Sequence, residues 1–158
     1  MRSAGLTALL VLLLDLLTKH LALQRLPPGR PVHVIDGFFS LTLVMNPGLA
    51  FGMLAGTPAG WRWLVAVLSI GALAVLAVVG LRMLPTGGPL TPLALGLIFG
   101  GAVGNLIDRA RFGAVVDFLD FYWRGYHWPA FNVADASISV GVVVLALRML
   151  SAPASASR

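Results

Sequence analysis

The sequence contains no cysteine and no glutamate, and Lys19 is its only lysine in 158 residues. The absence of cysteine excludes disulfides, thiolate metal sites and thiol nucleophiles. Because every carboxylate side chain is an aspartate, carboxylate chemistry depends on six residues. Charged residues make up 11% of the chain, whereas soluble domains carry about a quarter. With 58% hydrophobic residues, the chain is predicted to be a small membrane protein of one domain.

The sequence also lacks a basic patch. The net charge is +5, but the eleven lysines and arginines are scattered singly along the chain. Nucleic-acid binding needs basic residues gathered on one surface. The charge pattern therefore does not predict a nucleic-acid partner.

Four apolar stretches are long enough to cross a bilayer as helices. In lipid each span must satisfy its own backbone hydrogen bonds, which favours an all-α membrane protein with four transmembrane helices. We predict spans at about residues 4–23, 63–81, 91–107 and 134–150, with long loops at 24–61 and 108–133 and a flexible tail at 151–158. The first loop contains two short strands around Asp36-Gly37, and the second an extended segment from Gly113 to Phe121.

The first apolar stretch resembles the start of a secretory signal peptide, because Arg2 precedes an apolar run. Asp15 and Lys19 interrupt that run and no small-residue cleavage site follows, so we expect an uncleaved first helix. Four spans place both termini on one side of the membrane and both long loops on the other. A count of arginines favours cytoplasmic loops only narrowly, which leaves the orientation open.

Most of the hydrogen-bonding side chains gather at one end of the predicted bundle. An ionisable group within a span is costly and usually faces the bundle interior. The residues at this end are Asp15, Asp108, Asp117, Asp135, Asn46, Asn105, Arg109 and Asn132. This clustering predicts a polar site at the end of the bundle that carries the loops.

Asp117 and Asp135 are the candidates for acid–base chemistry. Asp117 lies in an apolar run and Asp135 about one turn into the fourth helix, where burial is expected to raise the pKa of each carboxyl. If the two groups meet, one can deprotonate water while the other protonates a carbonyl or a leaving amine. Asp108, followed directly by Arg109, is better placed to stay ionised in a polar network.

Simpler interpretations of these residues remain open. Asp135 and Asn132 are typical of a helix N-cap, and Asp117 fits a solvated loop carboxylate. Asp15 and Lys19, four residues apart, favour an internal ion pair. The spacing of Gly96, Gly100 and Gly104 indicates close helix packing, and the scattered histidines form no metal motif.

Five motifs together resemble the lipoprotein signal peptidase (signal peptidase II) family of intramembrane aspartic proteases. They are Asp15-Leu-Leu-Thr-Lys19, Asn46-Pro-Gly48-Leu-Ala-Phe-Gly52, Gly100-Gly-Ala-Val-Gly-Asn105-Leu-Ile-Asp108-Arg109, Val115-Val-Asp117-Phe118 and Phe131-Asn132-Val-Ala134-Asp135. Each motif falls at the end of a span or in a long loop, and their order along the chain matches the family.

The resemblance implies an enzyme that removes the signal peptide from diacylglyceryl-modified prolipoproteins by cleaving before the lipidated cysteine. It implies a catalytic dyad of Asp117 and Asp135, with Asp108 as the alternative catalytic candidate. The residues implied to bind substrate or support the site are Asn46, Gly48, Asn105, Asp108, Arg109, Asn132, Ala134, Asp15 and Lys19.

The same resemblance implies a multi-pass protein of the bacterial cytoplasmic membrane with both termini cytoplasmic and the site toward the outer leaflet. We expect a monomer that binds membrane lipid and globomycin-type inhibitors, with no metal or organic cofactor. The aromatic segment from Tyr122 to Trp128 is a candidate lid over the site.

Two alternatives from other functional classes remain. The protein is a small transporter or channel, or it is a membrane scaffold in which the polar residues only cap helices. Polar residues within spans also mark ion paths, but here no continuous polar path is visible. Another class of intramembrane aspartic protease is less favoured, because the Gly-x-Gly-Asp signature of presenilin-like enzymes is missing.

Overall fold

Over its described residues, the chain forms one helix, two strands, two helices, two further strands and a last helix, in that order. The computed structural model describes residues 2–48, 62–83 and 88–151. In chain order the elements are α1 (Arg2–Arg25), β1 (Val32–Ile35), β2 (Phe39–Asn46), α2 (Arg62–Met83), α3 (Leu90–Phe112), β3 (Val115–Trp123), β4 (Tyr126–His127) and α4 (Val133–Ser151). Most of the predicted tail, residues 152–158, and residues 49–52 of the second motif lie outside the described residues.

The four predicted helices are all present, and each extends slightly beyond its predicted span. The largest extension is in α3, which continues to Phe112 and ends at Gly113, whose φ of 67° allows its N–H to bond the Arg109 carbonyl. By length and composition, two helices in the described part of the chain, α1 and α3, suffice to cross a membrane, and α2 contains a shorter apolar segment, Val67–Gly80. The count of four spans remains a prediction.

The distribution of polar and apolar side chains on α1 is the reverse of that in a soluble protein. Asp15 and Lys19 are 0% and 2% exposed, whereas Leu10 and Leu13 are more than half exposed. Soluble proteins bury leucine and almost never fully bury aspartate or lysine without a partner. The apolar face of α1 therefore suits contact with lipid, and its polar face lies inside the bundle.

The two long loops join in one antiparallel sheet of order β1-β2-β3-β4. The predicted strands around Asp36-Gly37 are confirmed as β1 and β2, and the predicted extended segment as β3. Strand β2 pairs with β3 so that Asn46 lies opposite Val115 and Val44 opposite Asp117. This register places the end of β2 beside the start of β3, next to the end of the bundle.

Helix α3 packs closely against α1 on one side and α4 on the other. A Cβ at Gly96 or Gly100 would meet backbone and side-chain atoms of α1, and a Cβ at Gly104 would meet the Asp15 carboxylate. A Cβ at Gly101 would lie 2.5 Å from the Ala134 carbonyl oxygen of α4. The predicted role of the glycine repeat in helix packing is therefore confirmed.

We expect Gly100→Ala to lower the free energy of unfolding by about 1–3 kcal/mol, because the new methyl group overpacks the interface between α1 and α3. Its Cβ would lie 2.5 Å from the Ala8 carbonyl oxygen and 2.8 Å from the Val11 Cβ. Thermal unfolding in detergent measures the loss. Gly71→Ala is the matched control, since among the described residues nothing beyond its chain neighbours and its own helix backbone lies within 4 Å of that Cβ position. Equal stability of the two variants would contradict the prediction.

Candidate active site

Asp117 and Asp135 are brought to the same end of the bundle by different elements. Asp117 is in β3, with only 1% of its surface exposed. Asp135 is in the first turn of α4. The interpretation of Asp117 as a solvated loop carboxylate is therefore wrong, because strand pairing and the adjacent helices enclose it.

Three asparagines connect the two aspartates. Asn46 Nδ2 donates to Asp117 Oδ2 at 2.9 Å, and Asn132 Nδ2 donates to Asp117 Oδ1 at 2.7 Å. Asn105 Nδ2 donates to Asp135 Oδ1 at 2.8 Å. Asn132 Nδ2 also lies 3.2 Å from Asn105 Oδ1, and this contact connects the hydrogen bonds at Asp117 to the one at Asp135. The structure thus brings together five of the residues predicted to form the site.

Asn132 and Asp135 also form a reciprocal cap at the start of α4. Asn132 Oδ1 accepts from the Asp135 backbone N–H at 2.9 Å, and Asp135 Oδ2 accepts from the Asn132 N–H at 3.3 Å. This is the geometry of a capping box. The cap interpretation is correct, but it uses one carboxylate oxygen of Asp135 and leaves the other facing Asn105.

Burial raises the pKa of the Asp117 carboxyl from 3.8 to about 7. The hydrogen bond from Asn46 lowers this pKa, the negative charge of Asp135 raises it, and the Asn132 hydrogen bond and the Lys19 charge lower it. Desolvation is the largest of these effects, because it penalises the charged form of the group. Asp117 is therefore able to gain or lose a proton close to neutral pH.

Lys19 forms two buried ion pairs next to Asp117 and Asp135. Its Nζ lies 2.8 Å from Asp15 Oδ2 and 2.9 Å from Asp108 Oδ2. It also donates to Asn105 Oδ1 at 2.8 Å. The predicted internal pair of Asp15 and Lys19 is confirmed. The cation that pairs with Asp108 is Lys19, on another helix, and not the adjacent Arg109.

Arg109 holds the chain that follows β2. Its Nη2 donates to the Gly48 carbonyl at 2.9 Å and its Nη1 to the Asn105 carbonyl at 3.4 Å. The Gly48 N–H in turn donates to Asn46 Oδ1 at 3.0 Å. Arg109 Nε is buried and has no hydrogen-bond partner among the described residues. Gly48 and Arg109 thus lie against the residues predicted to form the site, and their role in binding substrate remains a prediction.

Two cavities reach Asp135 from different sides. One, of about 420 Å³, lies between α2, α3 and α4 and also includes Asn105 and Arg109 in its lining. The other, of about 640 Å³, lies between α4 and residues 128–131 and includes Asn46 and Trp128. Apart from these polar groups their walls are mostly apolar, which suits acyl chains or an apolar peptide. Trp128, from the segment predicted as a lid, lines the second cavity, but closure remains a prediction.

Some contributors were missed in the sequence. The Val116 backbone N–H donates to Asp108 Oδ2 at 3.1 Å, and Gly104 makes room for the Asp15 carboxylate. The glycine spacing predicts close helix packing, but it does not predict that the group packed against Gly104 is a carboxylate. The donor to Asp108 is a backbone N–H, and the type of residue does not indicate which backbone N–H makes such a bond. Among the described residues, no cluster of three or more histidine or aspartate side chains is suited to hold a metal ion.

A second polar cluster lies on the sheet, away from the pair Asp117 and Asp135. Asp120 accepts from Ser40 Oγ at 3.3 Å, and its two oxygens lie 2.9 and 3.0 Å from His127 Nδ1. The His127 ring stacks on Tyr122 with 5.0 Å between the ring centroids. These contacts join β2, β3 and β4, so Asp120 serves to hold the sheet together.

Comparisons with known proteins agree with this arrangement. The model of the Signal peptidase (SPase) II family matches residues 7–151. The lipoprotein signal peptidase of Geobacter sulfurreducens is 49% identical over 139 residues, covering 88% of this chain and 86% of that protein. The lipoprotein signal peptidase of Burkholderia mallei is 48% identical over 141 residues, covering 87% and 81%.

Solved structures share the same fold. A bacterial membrane enzyme determined by the in meso method at 2.3 Å resolution superposes with a TM-score of 0.77 and 29% identity, covering 100% of this chain and 95% of that one. A second, at 1.9 Å resolution, gives a TM-score of 0.76 with 30% identity, covering 96% and 95%. Since the family match extends over nearly the whole chain, the chain belongs to the signal peptidase II family.

Proposed function

We propose that this membrane protein removes the signal peptide from diacylglyceryl-modified prolipoproteins, cleaving before the lipidated cysteine as an aspartic endopeptidase. Membership of the signal peptidase II family supports the substrate class. The observation that carries the proposal is the asparagine-bridged pair, Asp117 and Asp135, placed beside two apolar cavities. Two carboxyl groups in different environments are the usual basis for acid and base roles in one site.

In this mechanism Asp135 acts as the base and Asp117 as the acid. Asp135 lies at the start of α4, where the helix N-terminus favours a negative charge. A water between the carboxyl groups gives a proton to Asp135, and its oxygen attacks the scissile carbonyl carbon. Asp117, whose pKa is about 7, gives its proton to the carbonyl oxygen. The tetrahedral intermediate then collapses: one of its hydroxyl groups returns a proton to Asp117 as the C=O bond re-forms, the C–N bond breaks, and the proton held by Asp135 passes to the leaving amine.

Arg109 and the asparagines bind the substrate backbone in this proposal. The buried Arg109 Nε is a donor with no described partner, and it belongs to a residue that lines the cavity at Asp135. A donor in such a place is suited to stabilise a substrate carbonyl or a developing oxyanion. The acyl chains and the apolar signal peptide occupy the two cavities, so the substrate stays in the bilayer during cleavage.

The proposal places four spans in the bacterial cytoplasmic membrane, with both termini in the cytoplasm and the dyad toward the outer leaflet. The sheet then lies outside the cytoplasm as a small β-rich region. The enzyme works as a monomer, without a metal or organic cofactor, and binds globomycin-type inhibitors.

A gel-shift cleavage assay in detergent tests the function. We expect the purified protein to shorten a diacylglyceryl-modified prolipoprotein and to leave the same precursor intact when its cysteine is unmodified. The expected preference is at least about 100-fold, because burial of two acyl chains contributes several kcal/mol of binding. A protein that cleaves neither precursor would contradict the proposal and favour a transporter, for which uptake into proteoliposomes is the measurement.

A further inference from the structure

We infer that Lys19 is a positioning residue that sets the separation of the two catalytic aspartates. This inference rests on the proposed dyad and adds a role for the buried charges beside it. Lys19 is 2% exposed, and its ammonium group contacts three oxygens, which belong to Asp15, Asp108 and Asn105. An ammonium has three N–H donors, which equals the number of oxygens around it, two in ion pairs and one in a hydrogen bond.

Each carboxylate bound by Lys19 also holds the backbone just before one of the aspartates of the dyad. Asp15 Oδ1 accepts from the Ala134 N–H at 2.9 Å, and Ala134 directly precedes Asp135. Asp108 Oδ2 accepts from the Val116 N–H at 3.1 Å, and Val116 directly precedes Asp117. Lys19 therefore links the backbone of α4 to the backbone of β3. The link runs through Asp15 on the α4 side and through Asp108 on the β3 side.

The third contact fixes the direction of an amide. Lys19 can only donate, so the oxygen of the Asn105 side chain must face it. The Asn105 amide nitrogen then faces Asp135, to which it donates at 2.8 Å. Lys19 thus determines both where Asp135 stands relative to Asp117 and which atom of Asn105 it meets.

Removal of the ammonium leaves Asp15 and Asp108 as neighbouring buried carboxylates without the lysine that pairs with both. Like charges in a buried site repel each other, and the backbone segments that they hold move with them. A displacement of about 1 Å at a reacting group can reduce the rate about 100-fold. The lipid and signal-peptide contacts lie in the cavities and are largely preserved, so the loss falls on kcat.

The absence of cysteine from the chain permits a direct test by chemical restoration. Lys19→Cys introduces a single thiol, which aminoethylation in denaturing detergent converts to a side chain with an ammonium at the length of lysine. Wild type, which has no thiol to modify, is carried through the same unfolding, alkylation and refolding steps. Mass spectrometry measures the extent of modification, and cleavage of the lipidated prolipoprotein gives kcat and KM.

We expect Lys19→Cys to lose about 100-fold in kcat while KM changes by less than about threefold. Aminoethylation is expected to recover at least about tenfold of that loss. Val11→Ala on the same helix is the matched control, because it removes buried packing next to Gly100 without touching the charged network. Its kcat should equal that of wild type even where its thermal midpoint is as low as that of Lys19→Cys.

Three results would overturn the inference. They are a near-normal kcat for Lys19→Cys, a folded and fully aminoethylated protein without recovery, and a loss of kcat in Val11→Ala that follows its loss of stability. None of these results affects the proposed function, which fails only if wild type does not cleave or if the aspartates of the dyad prove dispensable.

Discussion

Asp117→Asn and Asp135→Asn are each expected to lower kcat by about 10²–10⁴-fold, the range lost when a positioned acid or base is removed. Asparagine has nearly the shape of aspartate but neither accepts a proton from water nor donates one to the carbonyl oxygen. Because the substituted side chain still fills its site, KM should change little. Cleavage of the lipidated prolipoprotein in detergent, followed under single-turnover conditions, measures the effect on the chemical step.

Asp120→Asn is the matched control for Asp117→Asn. Asp120 lies three residues further along β3, is 6% exposed, and interacts with Ser40 and His127 and not with the dyad. The substitution removes a buried negative charge from the same strand, so it tests whether loss of a charge in the sheet alone affects cleavage. Activity within about threefold of wild type is expected, because a site distant from the reacting atoms leaves the transition state unchanged.

Asp108→Asn tests whether Asp108 supports the site or is itself one of the catalytic aspartates. The asparagine oxygen can still accept from Val116 N–H or from Lys19, so part of the network survives the change. We therefore expect a smaller loss than for either member of the dyad. A loss at Asp108 larger than at Asp117 would contradict the assignment and make Asp108 the catalytic partner of Asp135.

Because of the capping box, Asp135→Asn also tests whether Asp135 serves catalysis or only caps α4. The oxygen of an asparagine can accept from the Asn132 N–H as Asp135 Oδ2 does, so α4 keeps its cap. If the polar residues only capped helices, this variant would retain its biological function. A folded protein without cleavage activity therefore excludes the scaffold interpretation.

The extent to which the sequence predicts this site depends on the distance along the chain between the interacting residues. The Asp15–Lys19 pair follows from helical spacing, and the Asn132–Asp135 cap from local preference at a helix start. Contacts of Asn46 with Asp117 join residues 71 positions apart. They depend on the register of β2 and β3, which shifts between Leu41 and Val44, and the residues themselves do not specify that irregularity.

The environment of Asp117 illustrates the same limit. The run Val115-Val116-Asp117-Phe118 fits both an exposed strand and an enclosed one, because alternation alone does not reveal whether both faces are covered. In the structure these four residues are all buried, so neither face of this part of β3 is open. Tertiary packing therefore decides that Asp117 is desolvated, and local sequence does not.

The activity of wild type is expected to fall as the pH rises above about 7, where Asp117 loses its proton. Below this pH the carboxyl carries the proton that the carbonyl oxygen requires. Above it, the protonated fraction falls tenfold for each pH unit, and kcat/KM falls with it. A profile of kcat/KM against pH in detergent measures the midpoint of this basic limb, which reports the free enzyme. A flat profile between pH 6 and 9 would contradict Asp117 as the acid.

Asn46→Ala tests whether the fall in kcat/KM at high pH is caused by the loss of the Asp117 proton. The hydrogen bond from Asn46 stabilises the ionised form of that carboxyl and lowers its pKa. Its removal should therefore move the basic limb to higher pH by about one unit, the size expected for a lost hydrogen bond to a charged group. Asp120→Asn, which leaves the Asn46–Asp117 bond in place, should keep the wild-type midpoint. If Asn46→Ala left the midpoint unchanged or moved it to lower pH, the limb would have to be assigned to another group, and the proton to another member of the site.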